Sequence, residues 1–114
     1  MIRWVNVLHI YQPPTQIKEV VDTVVRESYS HIISLLETYP PLKITLNIPG
    51  SLLELLDKYG HKKIIDDIAR LVKEGKIELT GTAMYHPILP LIPADEVRRQ
   101  IKLHRDISKK YFER

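Results

Sequence analysis

Three short strand-like runs separated by long stretches of helical periodicity constrain the fold of this chain more than any other feature. Trp4-Val5-Asn6-Val7-Leu8-His9-Ile10 reads as a first strand, stopped by Pro13-Pro14. From Ile17 the apolar positions 17, 20, 21, 24, 25, 32, 33 and 36 recur with helical spacing and end before Pro40-Pro41. Leu42-Lys43-Ile44-Thr45-Leu46-Asn47-Ile48 is the second strand. After Pro49-Gly50, Ser51-Leu52-Leu53-Glu54 has the spacing of a capping box, opening a short helix through Leu56 or Asp57. A further helical face follows at Ile64, Ile65, Ile68, Leu71 and Val72. Gly75 ends it, and Ile77-Glu78-Leu79-Thr80 forms the third strand, closed by Gly81. Beyond Pro93, Asp95 and Glu96 favour a helix start, and Val97, Ile101, His104, Ile107 and Tyr111 continue that helix almost to the last residue.

Strands separated by long helices pair in parallel through right-handed crossovers. The expected fold class is therefore α/β: one domain over residues 1–114, with a parallel three-stranded sheet and flanking helices. A closed (β/α) barrel generally needs about 250 residues, and an open sheet leaves edges that invite pairing. A partial barrel follows, either the first part of a larger one or a unit that obtains the missing surface by association, as a homo-oligomer or with a complementary chain.

Composition narrows the function classes. Forty-four per cent hydrophobic residues suffice for a core. Seventeen Lys and Arg against fourteen Asp and Glu leave +3, but the charges are interspersed, without a basic block or an aromatic-interleaved motif for nucleic acid. With no cysteine, disulfides, thiolate catalysis and Cys-based zinc sites are excluded. The four glycines form no phosphate-binding loop, and the histidines do not have HExxH spacing, so neither cofactor nor metal is expected. The absence of a long apolar segment argues against a signal peptide and a membrane span, and makes the cytoplasm the expected compartment.

Polar residues that could carry chemistry gather at the C-terminal ends of the strands, where parallel sheets present ligand-binding groups. His9 ends strand one and Asn47 ends strand two, while Glu78 and Thr80 share one face of strand three and His86 lies in the loop after it. Glu78 in an apolar strand requires a structural partner such as Arg3 or Lys43, or a polar ligand, because a buried unpaired charge costs several kcal/mol. Tyr11 and Tyr85 lie in the loops after strands one and three, where their rings could stack on a sugar face or wedge the loops against the core. Gln12, ahead of Pro13-Pro14, offers an amide on a stiff turn. His61 and His104 fall on or beside solvent-facing helical segments and read as ordinary surface histidines.

Three motifs, taken in order, carry a resemblance. His9-Ile10-Tyr11-Gln12-Pro13-Pro14, Asn47-Ile48-Pro49-Gly50-Ser51-Leu52, and Gly75-Lys76-Ile77-Glu78-Leu79-Thr80-Gly81 followed by Tyr85-His86-Pro87-Ile88-Leu89-Pro90-Leu91 resemble the N-terminal part of glycoside hydrolase family 57. That family includes α-amylase-like, branching and glucan-transferring enzymes. The resemblance implies the start of an incomplete seven-stranded (β/α) barrel acting on α-glucosidic bonds with retention of configuration. It implies that His9 and Glu78 line the substrate site, with Gln12 and Pro13 as the Gln-Pro pair. Many members have histidine immediately before that pair, where this sequence has Tyr11.

The resemblance also implies a nucleophilic glutamate and an acid/base aspartate on later strands, in regions this sequence does not contain. Retaining hydrolysis needs two carboxyl groups about 5 Å apart, and Glu78 cannot serve as both. No catalytic residue is therefore assigned. The chain is expected to contribute substrate-binding residues (His9, Tyr11, Gln12, Asn47, Glu78, Tyr85 and His86) for an α-glucan or oligosaccharide, and to be inactive alone. The alternative is a non-catalytic carbohydrate-binding or assembly module.

Overall fold

The computed structural model describes residues 1–113. Three strands, β1 (Val7–His9), β2 (Ile44–Asn47) and β3 (Ile77–Leu79), form one parallel sheet in the order β1-β2-β3. The helices are α1 (Lys18–Val24), α2 (Ser30–Thr38), α3 (Gly50–Lys58), α4 (Lys62–Lys73) and α5 (Ala94–Phe112), with a short 3₁₀ turn at Leu89–Leu91. Every strand and helix expected from the sequence is present, at shifted boundaries. The first strand is shorter than its apolar run: Trp4 and Val5 are exposed, and pairing extends only through the bonds Thr45 N–H to Asn6 O (2.8 Å) and Ile10 N–H to Asn47 O (3.1 Å).

The register Val7↔Thr45, Leu8↔Leu46, His9↔Asn47 and Ile44↔Ile77, Thr45↔Glu78, Leu46↔Leu79 divides the sheet into two unlike faces. Leu46, Ile44, Ile48, Ile10 and Ile77 point to one face and pack with Val21, Leu36, Leu52, Leu53, Leu56, Ile65, Leu71 and their neighbours in one continuous core. Val7, His9, Thr45, Asn47, Glu78 and Thr80 occupy the other face, where no described helix covers them; Val7 is 63% exposed. Parallel sheets usually bury both faces. This one is covered on one side only, as the wall of an unclosed barrel would be.

The single long helix expected between β1 and β2 is interrupted by a π-helical turn at Val25–Tyr29. The reason lies in the spacing of the buried side chains Val21, Val25, Tyr29 and Ile33, which are four residues apart throughout. At 3.6 residues per turn such a series drifts by about 40° per step and would rotate off the core. One widened turn absorbs the drift and keeps all four inward. At the helix C-terminus the Lys76 ammonium donates to Leu36 O at 2.9 Å. His61 and the Lys18 ammonium both reach Asp22, tying α1 to the start of α4 and holding the Asp22 carboxyl below its usual range, Lys18 contributing most.

The capping box expected at Ser51 does not form. Helix α3 begins at Gly50 with Pro49 as its N-cap, so Ser51 lies inside the first turn, buried, its hydroxyl without a partner among the described residues. Gly50 is required by its surroundings rather than by its backbone: a Cβ there would sit 2.5 Å from Met84 Sδ and 3.5 Å from His104 Nδ1. Gly75, at φ +73°, is the left-handed residue that ends α4, and the bond from Lys76 N–H to Leu71 O (2.9 Å) completes a Schellman turn into β3. His104, expected on a solvent-facing surface, is instead buried at 7% exposure where α5 packs near α3, and burial pushes its imidazole below the ordinary range.

Candidate functional site

The open sheet face orders its polar residues in two rows. Val7, Thr45 and Glu78 are paired across the three strands, and His9, Asn47 and Thr80 form the next row toward the C-terminal ends. In the second row the side chains are linked: His9 Nδ1 lies 2.8 Å from Asn47 Oδ1, and Asn47 Nδ2 donates to Thr80 Oγ1 at 2.7 Å. Thr80 is held on the sheet by its own N–H, which donates to Leu46 O at 3.0 Å.

Above this row three rings meet. His9 and His86 have ring centroids 4.5 Å apart, Tyr11 and His86 5.0 Å, and His9 and Tyr11 6.3 Å with nearly parallel planes. His9 and Tyr11 share a side because they are two residues apart in extended chain. His86 arrives from the loop after β3 with φ +52°, a left-handed conformation that histidine adopts at a cost on the order of 1 kcal/mol. The loop is fixed by three bonds: Met84 N–H to Gln100 O (3.2 Å), Tyr85 N–H to Gln100 Oε1 (2.9 Å) and Ser51 N–H to Met84 O (2.9 Å). The Gln100 amide also donates to Glu96 Oε1 at 2.9 Å, so α5 clamps the segment that carries His86. Arg99 and Gln100 hold the Glu96 carboxyl down to about 2.

The candidates divide accordingly. His9, Tyr11, Asn47 and His86 form one cluster, joined by Thr80. Glu78 lies one row lower on the same face; the strand rise and spacing put its Cα about 12 Å from that of His9, too far for direct contact. The expected burial of Glu78 is not observed: the carboxylate is exposed and, among the described residues, has no ion pair with Arg3 or Lys43. The open face spares it the desolvation cost that the apolar strand sequence suggested. Gln12 makes no hydrogen bond to the cluster among the described residues and accepts a bond from the Gln16 amide at 3.1 Å. Tyr85 is exposed and outside the ring cluster.

Among the described residues Glu78 is the one carboxylate of the three strands that lies on the open face, and these strands present no pair of acids at the spacing glycoside hydrolysis uses. Among the described residues, no three His, Asp or Glu side chains approach closely enough to hold a metal ion, and no helix is long and apolar enough to cross a membrane. What the surface offers is hydrogen-bonding groups beside flat rings, a combination suited to sugar rings, which have apolar faces and hydroxyl rims.

Sequence reasoning placed Thr80 on the polar face without assigning it to the site, and gave no role to Met84 or Gln100. Thr80 was legible from the period of strand three, whereas the other two act through contacts between residues 15 or more positions apart and leave no local signal.

The profile of glycosyl hydrolase family 57 matches residues 4–114. The chain is 30% identical over 109 residues to an alpha-amylase of Pyrococcus horikoshii, covering 96% of this chain and 17% of that protein. It is 27% identical over 109 residues to a 4-alpha-glucanotransferase of Thermococcus litoralis, covering 96% of this chain and 16% of that protein. The crystal structure of 4-alpha-glucanotransferase from Thermococcus litoralis superimposes with a TM-score of 0.86 at 26% identity, over 94% of this chain and 17% of that chain. The chain thus spans about a sixth of the length of the relatives it matches.

Proposed function

Because the chain belongs to glycosyl hydrolase family 57, we propose that its strand ends form one wall of an α-glucan site whose attacking and proton-donating carboxylates lie outside these residues. The observation that carries this reading is the convergence of His9, Tyr11, Asn47 and His86 from all three strand ends on the uncovered face, with Glu78 on the same face. In this reading the rings pack against the apolar face of a glucose unit, and His9 and Glu78 bond to hydroxyl groups of neighbouring units. Gln12 and Tyr85 border the site from the loops. The proton donor and nucleophile that retaining chemistry requires come from other barrel strands.

Titration calorimetry with maltooligosaccharides tests the wall directly. The chain is expected to bind saturably and without turnover, and Glu78→Ala to weaken binding; unchanged affinity in that variant removes Glu78 from the site. Turnover is expected only when polypeptide supplying the remaining barrel strands is added. Robust hydrolysis by the 114-residue chain alone would sink this division of labour.

A second reading, a carbohydrate-binding or assembly module without catalysis, is favoured by one observation. The three-stranded sheet has two unpaired edges and an open face with exposed Val7, and Ile88 and Leu91 are also exposed, a surface suited to association as a homo-oligomer or with a complementary barrel chain. Light scattering at low micromolar concentration tests association in either reading, a well-folded monomer contradicting a requirement for a partner. The module alone predicts saturable sugar binding without turnover even when complementary polypeptide is present.

A further inference from the structure

We propose that Gln100, on α5, is a positioning residue for the strand-end wall: aimed by Glu96, its side-chain carbonyl holds the Tyr85 N–H and so keeps the His86 ring against those of His9 and Tyr11. The groups themselves fix the direction of every bond in this series. A backbone N–H only donates, so the Gln100 atom 2.9 Å from Tyr85 N is the amide oxygen. Gln100 Nε2 is then left to donate to Glu96 Oε1 at 2.9 Å. Arg99 grips the same carboxylate from Nε at 2.8 Å and from Nη2 at 2.7 Å. An ionised carboxylate only accepts, and Glu96, held down to about 2, is ionised at neutral pH. Turning the Gln100 amide over would set donor against donor at Tyr85 and acceptor against acceptor at Glu96.

His86 needs such a restraint. Its backbone is left-handed at φ +52°, and Pro87 follows it, a position where extended backbone is preferred. Conformations of this kind persist only where surrounding contacts over-determine them, and they gather at functional sites. The backbone bonds from Met84 N–H to Gln100 O and from Ser51 N–H to Met84 O seat residue 84 whatever side chain stands at position 100. The bond to Tyr85 N–H depends on that side chain and falls immediately before His86. Gln100 is 6% exposed, so water does not compete for its carbonyl. Helix α5 therefore sets the 4.5 Å and 5.0 Å ring separations of His86 from His9 and Tyr11 without touching the rings' open face. The consequence for sugar binding rests on the glucan reading above: a His86 ring released from the cluster removes one of the flat surfaces offered to a glucose unit.

Proton nuclear Overhauser spectra of the intact chain read the ring cluster without any ligand. The wild type is expected to show contacts from the His86 ring to those of His9 and Tyr11; their absence overturns the proposal. Gln100→Met keeps the length of the side chain without its amide, and should lose these contacts while circular dichroism shows a folded chain. Glu96→Gln, at a half-exposed position, removes the charge that aims the Gln100 amide and should weaken the same contacts. A merely structural role for Gln100 predicts lowered stability with the ring contacts intact, and that result in folded Gln100→Met refutes the assignment. Combining Gln100→Glu with Glu96→Gln keeps an acceptor at Tyr85 N–H and a donor facing it from position 96. This exchange should restore the contacts that Gln100→Glu alone, with two facing carboxylates, loses.

Maltoheptaose affinity in Gln100→Met should fall about five- to tenfold, the worth of one lost hydrogen bond or ring contact. If the ring contacts respond as stated and the wild-type chain binds no maltoheptaose, the positioning role stands and the glucan reading fails.

Discussion

Gly50→Ala tests how the loop that carries His86 is seated. The added Cβ would lie 2.5 Å from Met84 Sδ, roughly 1 Å closer than a relaxed contact at ~3.5 Å. Met84 is 2% exposed, so its side chain has no solvent into which to retreat. Overpacking of this kind costs about 1–3 kcal/mol, and the helix-propensity gain of Ala over Gly, at most about 1 kcal/mol and smaller in a first turn, offsets part of it. The net expectation is a loss of about 1–2 kcal/mol. Met84→Ala alone should cost about 2–5 kcal/mol through the cavity it leaves. In the double variant the new Cβ enters the vacated space, so the combined loss should fall short of the sum by about 1–2 kcal/mol, where independent sites add to within roughly 0.5 kcal/mol. Urea unfolding followed by circular dichroism measures all four proteins, with midpoints compared at constant slope. Additive losses, or a Gly50→Ala chain as stable as wild type, would refute the packing argument. Because Met84 O also accepts the Ser51 N–H, the same substitution should displace His86 and weaken maltooligosaccharide binding.

Three further outcomes are expected. Gln100→Leu strands the Tyr85 N–H and should cost about 1–3 kcal/mol in urea unfolding while raising hydrogen exchange at Tyr85 and His86. His104 is held below its ordinary value of 6.5 by burial, so the unfolded chain takes up its proton first as pH falls. The stability tied to neutral His104 is full above that value and is lost as pH drops toward the lower folded value. The slope should approach about 1.4 kcal/mol per pH unit at most. Denaturation at stepped pH should show a shallower acid loss in His104→Gln than in wild type, and equal slopes would contradict the assignment. Lys76→Met removes the ammonium that caps Leu36 O and should lower stability by about 0.5–1.5 kcal/mol, read as a shifted urea midpoint.

Much of this architecture was written in local pattern. Strand runs at 4–10, 42–48 and 77–80, each closed by Pro or Gly, placed three parallel strands, and the intervening helical spacing placed their crossovers. The π-turn is hidden in the series of aliphatic residues, which skips Tyr29; with the tyrosine included, the buried positions from Val21 to Ile33 repeat every four residues, a spacing that favours a widened turn. The capping box at Ser51 failed because Pro49 supplies the extended residue before the helix and Met84 O takes the Ser51 N–H. Glu78 and His104 were misjudged in opposite directions for one reason: burial depends on which surfaces other elements cover. Strand three is covered on one face only, which exposes Glu78, and α5 turns His104 against α3. At the candidate site, period-two alternation put Glu78 and Thr80 on one face of strand three and the strand ends supplied His9 and Asn47; it is the sheet register that brings all four to one face. The ring cluster could not be read locally, since it requires the left-handed backbone at His86 and the clamp from Gln100.

An uncovered strand-end face that serves as a glucan-binding wall without its own catalytic pair should bind the sugar and leave it intact. Backbone and side-chain chemical shifts of the 114-residue chain, followed through a maltoheptaose titration with product analysis of the same samples, test it most directly. Saturable shifts concentrated at His9, Tyr11, Asn47, Glu78 and His86 are expected, with the sugar unchanged. Shifts confined to the helical surface, no shifts at all, or cleaved maltoheptaose would contradict it.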